Sequence, residues 1–182
     1  MRLNLHTLRA AGTALLIVAL AAGCATRQQR ETLRTVDFVD LDRFMGRWYV
    51  VAHTPTTIDR QAHNAVEIYE WRDDGRIATT YSFRVGGFEG EERTYNPVAT
   101  VKNPRTNAEW DMQFLWPFQA DYRIIYLDSN YRTVVIGHPN RRHAWIMRRD
   151  PWIDPTQYSD LVLFLQDKGF DVTRLRLVPH SW

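Results

Sequence analysis

The chain has 182 residues, of which 45% are hydrophobic and 24% are charged, so it suits one globular domain and its composition excludes wholesale disorder. A single cysteine excludes an intramolecular disulfide scaffold and a cysteine-rich zinc site. Arg2 and Arg9 are the only charged residues before Cys24, and from Cys24 onward the basic and acidic side chains balance. This neutrality argues against nucleic acid as a partner, because non-specific binding relies on a basic surface.

Residues 1–23 have the pattern of a lipoprotein signal peptide. A positive start is followed by the almost wholly apolar run 10–23, which is too short to span a bilayer as a permanent helix. The run ends in Leu-Ala-Ala-Gly before Cys24, which resembles a bacterial lipobox, where the cysteine is lipidated and becomes the new N-terminus. The resemblance implies a lipid anchor at Cys24, on the periplasmic face of the outer membrane. The alternative is an ordinary secretory signal.

Residues 24–35 are polar and lack apolar periodicity, which indicates a lipidated N-terminus followed by a tether. In residues 36–182, turn signals alternate with short runs rich in β-branched and aromatic residues. Eight such runs predict strands at 47–53, 65–72, 76–85, 93–102, 109–115, 121–127, 132–137 and 143–149. No helix of crossover length separates these runs, so the pattern favours an antiparallel meander over a parallel α/β sheet.

One helix is predicted near the C-terminus. It follows Asp154 and Pro155, and Gly169 provides a stop signal. Between them, apolar residues recur at helical spacing at Tyr158, Leu161, Val162 and Leu165. A short run at 175–178 suggests one more strand. Together these elements predict an all-β fold, an eight-stranded antiparallel up-and-down β-barrel with one C-terminal α-helix packed outside and room inside for a small ligand.

Three short motifs resemble those of the lipocalin family. Gly46-Arg47-Trp48 is similar to the Gly-x-Trp motif that opens the first barrel strand. Asp121-Tyr122 is similar to the second motif, and residues 145–151 are similar to the third, in which an arginine, here Arg149, ends the last barrel strand. Residues 40–179 resemble bacterial lipocalins, which are outer-membrane lipoproteins related to apolipoprotein D.

The family resemblance implies a binding protein rather than an enzyme. The expected ligand is a fatty acid or lysophospholipid, held in the barrel for storage, transport or membrane maintenance. Binding is expected to need no cofactor and no metal. Lipidated Cys24 would supply the contact with the membrane, and a homodimer is possible because the family includes dimers.

Strand direction predicts what closes the barrel. If the first strand climbs from Gly46, successive strands alternate in direction and the eighth strand ends at Arg149, at the same end of the barrel. Trp48 and Arg149 should therefore meet at a closed floor, where a guanidinium over an indole ring contributes about 0.5–2 kcal/mol. We expect Gly46, Trp48 and Arg149 to be structural. The opposite end collects the loops 55–64, 86–91, 116–119 and 138–142 and should form the mouth.

Strand alternation and the family resemblance together predict the residues that line the lumen. These ligand-binding candidates are Val50, Ala52, Glu67, Tyr69, Tyr81, Phe83, Met112, Phe114, Tyr122, Ile124, Trp145 and Met147. Glu67 is unusual among them, because a carboxylate facing an apolar lumen must be paired, protonated or hydrated. The alternative alternation turns Val66 and Ile68 inward and Glu67 outward.

Two other functional classes remain open. In an envelope structural or interaction protein, the barrel would be filled by its own tryptophans and tyrosines. A lipocalin-type enzyme is less favoured, because the sequence has neither a His-Glu-x-x-His nor a Gly-x-Ser-x-Gly motif. The size of the cavity separates a carrier from a filled barrel, since a carrier needs a few hundred Å³ of connected apolar space.

Overall fold

A computed structural model describes residues 32–115 and 118–182, with the backbone alone at residues 115 and 118. Leu33–Trp182 forms a compact unit. The predicted signal peptide 1–23, Cys24 and all but the end of the tether 24–35 lie outside the described residues, as do Trp116 and Pro117 of the mouth. Within the described part of the chain, no helix is both long enough and apolar enough to cross a membrane.

The described residues form a closed antiparallel barrel, which confirms the predicted fold class. The strands are β1 (Gly46–His53), β2 (Ala62–Trp71), β3 (Ile77–Val85), β4 (Glu92–Tyr95), β5 (Val98–Val101), β6 (Glu109–Leu115), β7 (Phe118–Leu127), β8 (Thr133–Gly137), β9 (Ala144–Arg148) and β10 (Arg176–Leu177). From β1 to β9, strands adjacent in sequence pair with each other apart from β4 and β5, and β9 pairs with β1 to close the barrel. β10 adds a short strand to β1 at Ala52 and His53.

The fourth predicted strand, 93–102, is two strands in the structure. β4 and β5 both pair with β3 and are separated by Asn96 and Pro97. Proline has no N–H to donate to a sheet, so it interrupts a strand at this position. The barrel wall therefore has eight strand positions, and β4 and β5 share one of them.

Two helices and a 3₁₀ turn complete the fold. Helix α1 (Leu41–Phe44) was not predicted; it begins at Asp40, whose carboxylate accepts from the backbone N–H of Asp42 at 3.1 Å. Helix α2 (Pro155–Asp167) matches the predicted helix and begins at Asp154, whose carboxylate accepts from the N–H of Thr156 at 2.9 Å. The 3₁₀ turn is Val172–Arg174.

Two hydrophobic clusters lie on opposite sides of the barrel wall. The inner cluster lies inside the barrel and includes Trp48, Tyr69 and Trp110. The outer cluster lies under α2, where Leu161 and Leu165 pack against residues of the barrel's outer face. The apolar face of α2 therefore packs on the outer face of the barrel, as the apolar stripe of a surface helix does.

A bulge in β1 moves Ala52 from the lumen to the outer cluster. Val50 pairs with Met147, but Ala52 pairs with Ile146, so one residue of β1 has no counterpart in β9. Ala52 is fully buried with Val51 among the outer cluster. Strict alternation places Ala52 inside, and that placement is wrong because a bulge changes which face the following residues occupy.

Arg149 closes one end of the barrel. Its guanidinium carbon lies 3.8 Å from the centroid of the Trp48 ring. One terminal nitrogen donates to the Arg47 carbonyl at 2.7 Å, and the other donates to the carbonyls of Arg43, Phe44 and Met45 at 2.9 Å. These last carbonyls lie at the C-terminal end of α1, where a helix leaves its carbonyls without partners and where a cation is favourable.

Gly46 and Trp48 complete this floor. The Trp48 indole N–H donates to the Phe44 carbonyl at 2.8 Å, so the end of α1 is bonded to both Trp48 and Arg149. Gly46 has a φ of +90°, a conformation that side chains rarely adopt, and it turns the chain from α1 into β1. Burial lowers the pKa of Arg149 to about 10, which still leaves the side chain charged at neutral pH.

We expect Gly137→Ala to destabilise the domain by about 1–3 kcal/mol, because it overpacks the contact between β8 and the C-terminal segment. A Cβ atom at this position would lie 2.7 Å from Cζ of Phe170 and 3.0 Å from Cδ1 of Ile125. Urea unfolding measures the loss. The matched control is Gly87→Ala, where a Cβ atom meets nothing within 4 Å. Equal stability of the two variants would contradict this packing account.

Candidate ligand-binding site

The floor half of the barrel is filled with aromatic side chains. Phe44, Trp48, Tyr69 and Trp110 are fully buried there. The Phe44 ring centroid lies 5.1 Å from that of Trp48 and 5.4 Å from that of Trp110, and Tyr69 lies 5.7 Å from Trp110. These separations are those of packed aromatic pairs, so the described side chains pack closely across this end of the barrel.

The other half of the barrel contains a cavity of about 100 Å³. Its walls come from the middle of the barrel and from the loops of the mouth. The lining residues are Thr56, Ile58, Asp59, Glu67, Tyr81, Met112, Phe114, Ala120, Asp121, Tyr122, His138 and Trp145. The volume is well below the roughly 300–1,000 Å³ of typical ligand pockets. The space therefore accommodates a small group, or part of a longer ligand.

Glu67 lies at the inner end of this cavity and is buried. The Tyr69 hydroxyl donates to its carboxyl group, and the Tyr122 hydroxyl lies 2.5 Å from the Tyr69 hydroxyl. Burial raises the pKa of Glu67 to about 7, against the lowering effect of the Tyr69 hydrogen bond and with a further increase from the charge of Asp59. Glu67 thus changes its charge near neutral pH, inside the barrel.

Asp59 anchors the loop that follows β1. Its carboxylate accepts from the N–H of Thr56 at 2.6 Å, from the Thr56 hydroxyl at 2.7 Å and from the Tyr81 hydroxyl at 3.1 Å. Nδ1 of buried His53 lies 3.3 Å from the same group. Burial raises the pKa of Asp59, but the hydrogen bond and charge of His53 and the bonds from Thr56 outweigh burial and bring it to about 2. Asp59 is therefore ionised at neutral pH.

The structure divides the twelve predicted lining residues into three groups. Six of them line the cavity: Glu67, Tyr81, Met112, Phe114, Tyr122 and Trp145. Five belong to the inner cluster without lining the cavity: Val50, Tyr69, Phe83, Ile124 and Met147. Ala52 belongs to the outer cluster. Val66 and Ile68, the alternative inward residues, line a separate groove with Arg47 and Trp182 rather than this cavity.

Six lining residues were not among those predicted to line the lumen, although the loops 55–64 and 138–142 were expected at the mouth: Thr56, Ile58, Asp59, Ala120, Asp121 and His138. Ala120 was missed because the strand was predicted to begin at 121, whereas β7 begins at Phe118. Alternation from Tyr122 would have placed Ala120 inside. Thr56, Asp59 and His138 lie in loops, where no periodicity indicates which way a side chain points.

The mouth presents apolar side chains beside this cavity. Ile58 and Phe114 line the cavity and remain 39% and 53% exposed. Phe88, 39% exposed, packs edge-to-face with His63 near the start of β2. Arg141, in the loop 138–142 that was expected at the mouth, donates from Nε to the Lys168 carbonyl at 2.7 Å, just past the end of α2. Among the described residues, no group of three or more histidine, cysteine or acidic side chains is arranged to hold a metal.

Comparison with known proteins gives the same family throughout. A family model described as a lipocalin-like domain matches residues 39–180. The "Outer membrane lipoprotein Blc" of Escherichia coli (strain K12) is 28% identical over 175 residues, covering 91% of this chain and 90% of that protein. "Apolipoprotein D" of Bos taurus is 22% identical over 153 residues, covering 78% of this chain and 77% of that protein.

Among solved structures, insecticyanin from the tobacco hornworm Manduca sexta matches with a TM-score of 0.64 at 16% identity. The match covers 82% of this chain and 85% of that one. At this identity the likeness shows the shared barrel fold alone. The family model, in contrast, matches well over half of the chain, and this confirms the predicted family.

Proposed function

The chain belongs to the lipocalin family, whose members generally bind small hydrophobic ligands, and we propose that it binds an amphiphilic lipid, a fatty acid or a lysophospholipid, in the open half of its barrel. The role we propose is lipid storage, transport or membrane maintenance. The observation that carries the proposal is the cavity between Met112, Phe114 and Trp145, which continues into exposed apolar side chains at the mouth.

Energetics favour a lipid at such a site. Each CH₂ group moved from water into an apolar environment gains about 0.8 kcal/mol, so a few methylenes suffice to offset part of the cost of association. A cavity of about 100 Å³ encloses only a short part of an acyl chain. We expect the remainder to lie against Ile58 and Phe114 at the mouth, or to displace lining side chains.

We also propose that the protein is anchored to the outer membrane through lipidated Cys24, with the barrel on the periplasmic face. The lipobox-like sequence supports this placement, and the E. coli relative is named an outer membrane lipoprotein. A lipoprotein's acyl chains bury enough methylenes for stable attachment. A barrel held in this way would work close to the membrane lipids that it binds. A homodimer stays a prediction from the family resemblance.

One observation favours a second candidate function. The filled floor half and the small cavity also suit a structural or interaction protein of the envelope, whose barrel is occupied by its own side chains. For a lipocalin-type enzyme we find no comparable support. The cavity does contain Glu67, but the sequence around it has no recognised catalytic motif, and we propose a binding role rather than catalysis.

The first experiment tests for a bound lipid. The domain of residues 33–182, which contains both hydrophobic clusters, would be purified without detergent and its organic extract analysed by mass spectrometry. We expect a lipid near one equivalent, or displaceable binding of a fluorescent fatty acid if the purified domain is empty. The absence of both from folded protein would support the filled-barrel alternative instead.

A steric variant tests whether the lipid occupies this cavity. Ala120→Phe adds a ring to the cavity wall without adding charge, and we expect fatty-acid affinity to fall at least about tenfold. Gln119→Phe is the control, because Gln119 is the exposed neighbour on the same strand. Equal affinity of the two variants would place the ligand elsewhere.

A separate variant tests the anchor. We expect the full-length Cys24→Ser variant to lose its lipid and to leave the membrane fraction, because the serine cannot carry the thioether-linked lipid. Metabolic labelling with a palmitate analogue, followed by fractionation, measures this. Unchanged labelling of the serine variant would contradict lipidation at Cys24.

A further inference from the structure

At the inner end of the cavity, every tyrosine hydroxyl already donates its proton within the protein, while oxygen lone pairs remain free to accept. Tyr81 donates its proton to Asp59, and Tyr69 donates its proton to Glu67. Because Tyr69 has only one proton, Tyr122 must donate in the contact between the two hydroxyls at 2.5 Å. With Glu67 ionised, its carboxylate and the hydroxyls of Tyr81 and Tyr122, which all line the cavity, therefore offer lone pairs to it and no remaining O–H.

Glu67 also lacks a cationic partner. None of the ion pairs among the described residues involves it, and its hydrogen-bond partner there is the hydroxyl of Tyr69. A buried carboxylate without a counter-charge is costly, so a ligand that supplies a positive charge gains more here than in water. Asp59 lines the same cavity, but its carboxylate has His53 as a neighbour, with Nδ1 at 3.3 Å, so the charge without a counter-charge is that of Glu67.

Aromatic rings surround these carboxyl groups. Tyr81, Tyr122 and Trp145 all line the cavity with Glu67. A cation near the faces of such rings is attracted by their π electrons, and ammonium groups are commonly recognised in this way. Acceptors, negative charge and aromatic rings thus occur together in one small space.

We propose that the inner end of the cavity is a subsite for the protonated amine of an amphiphile, whose apolar chain leaves through the mouth. The inference rests on the proposed binding of amphiphiles and names the head group that the cavity itself selects. The volume of about 100 Å³ suits a head group better than a long chain, and exposed Ile58 and Phe114 offer apolar surface to the chain outside. An anionic amphiphile meets only acceptors at Glu67, so it binds tail-first with its head at the mouth.

The test compares two amphiphiles of equal chain length. Dodecylamine and laurate would be titrated into the domain of residues 33–182 at pH 8, below their critical micelle concentrations, with calorimetry as the readout. We expect the amine to bind roughly 10- to 100-fold more tightly than laurate, the range of a charge-assisted hydrogen bond.

Glu67→Gln is the decisive variant. Glutamine keeps the shape and can still accept from Tyr69, but it carries no charge and brings N–H donors into the cavity. We expect amine affinity to fall roughly 10- to 100-fold while laurate affinity stays within about threefold. Glu70→Gln, an exposed position on the same strand, is the control and should change neither affinity.

The outcomes separate the two proposals. If folded wild-type domain binds neither ligand, the proposed function fails. If laurate binds as tightly as the amine, or if Glu67→Gln weakens both equally, the amine subsite is wrong while lipid binding stands. Should Glu67→Gln not fold, Tyr81→Phe provides the second test: it removes one acceptor oxygen, keeps the ring, and should weaken the amine severalfold without weakening laurate.

Discussion

Replacing Arg149 by alanine should lower the free energy of unfolding by about 4 kcal/mol, among the larger effects of a single substitution. The guanidinium donates to the carbonyls of Arg43, Phe44, Met45 and Arg47 and lies over the Trp48 ring. Hydrogen bonds from a charged donor contribute about 1.5–3 kcal/mol each, though not additively, and the ring contact adds about 0.5–2 kcal/mol. Urea unfolding followed by tryptophan fluorescence measures the loss.

Two further variants isolate the cause. Arg149→Lys keeps the charge but loses the planar fork that reaches several carbonyls at once, so we expect it to recover less than half of the stability. Arg105→Ala, at an exposed position in a loop at the same end, should have little effect. If Arg149→Ala were no more destabilising than Arg105→Ala, Arg149 would not be the plug of the floor.

Glu67→Gln should stabilise the domain at pH 8 by about 3 kcal/mol and leave its stability at pH 4 nearly unchanged. The pKa of Glu67 is about 7 in the folded protein, against 4.5 for the free side chain. Between pH 4.5 and about pH 7, Glu67 loses its proton in the unfolded chain and keeps it in the folded protein, so the stability of the wild type falls as pH rises. At 1.36 kcal/mol per pKa unit the interval gives the 3 kcal/mol expected. Above pH 7 both states are ionised and the penalty is constant.

The measurement is the difference in unfolding free energy between wild type and Glu67→Gln across pH 4–8. Taking the difference removes the contribution of Asp59, whose pKa of about 2 makes it lose stabilisation only below about pH 4 in both proteins. Glu70→Gln should give a curve parallel to that of wild type. Parallel curves for Glu67→Gln as well would show that Glu67 carries no buried-charge penalty. A stability gain on removing the charge would indicate that the carboxyl group is kept for binding rather than for folding.

Strand alternation predicts most of the fold, because a barrel buries one face of each strand along its whole length. Together with the family resemblance it predicts Tyr81, Met112 and Trp145 on the inner face and leaves Glu67 open between the two faces; all four line the cavity. Alternation fails at local irregularities. The bulge in β1 carries Ala52 to the outer cluster, and Pro97 divides one strand into two. Both are decided by local backbone geometry, which a period of two residues does not encode.

The parts of the site that the sequence did not predict depend on tertiary contacts. Asp59 reaches the cavity because Thr56, Tyr81 and His53 hold its carboxylate, and these partners come from two strands and a loop. Helix α1 is too short for its apolar spacing to be recognised, yet its end binds Arg149. The volume of the cavity follows from how the aromatic side chains pack, and composition alone does not distinguish a hollow barrel from a filled one.

The filled floor has a consequence for how a ligand travels. Phe44, Trp48 and Trp110 pack across this end of the barrel and Arg149 is bonded beneath them, so these described residues close the floor. A ligand bound in the cavity as we propose would therefore enter and leave through the mouth. If the protein transfers lipid as we propose, uptake and release would use this one opening and would have to occur one after the other.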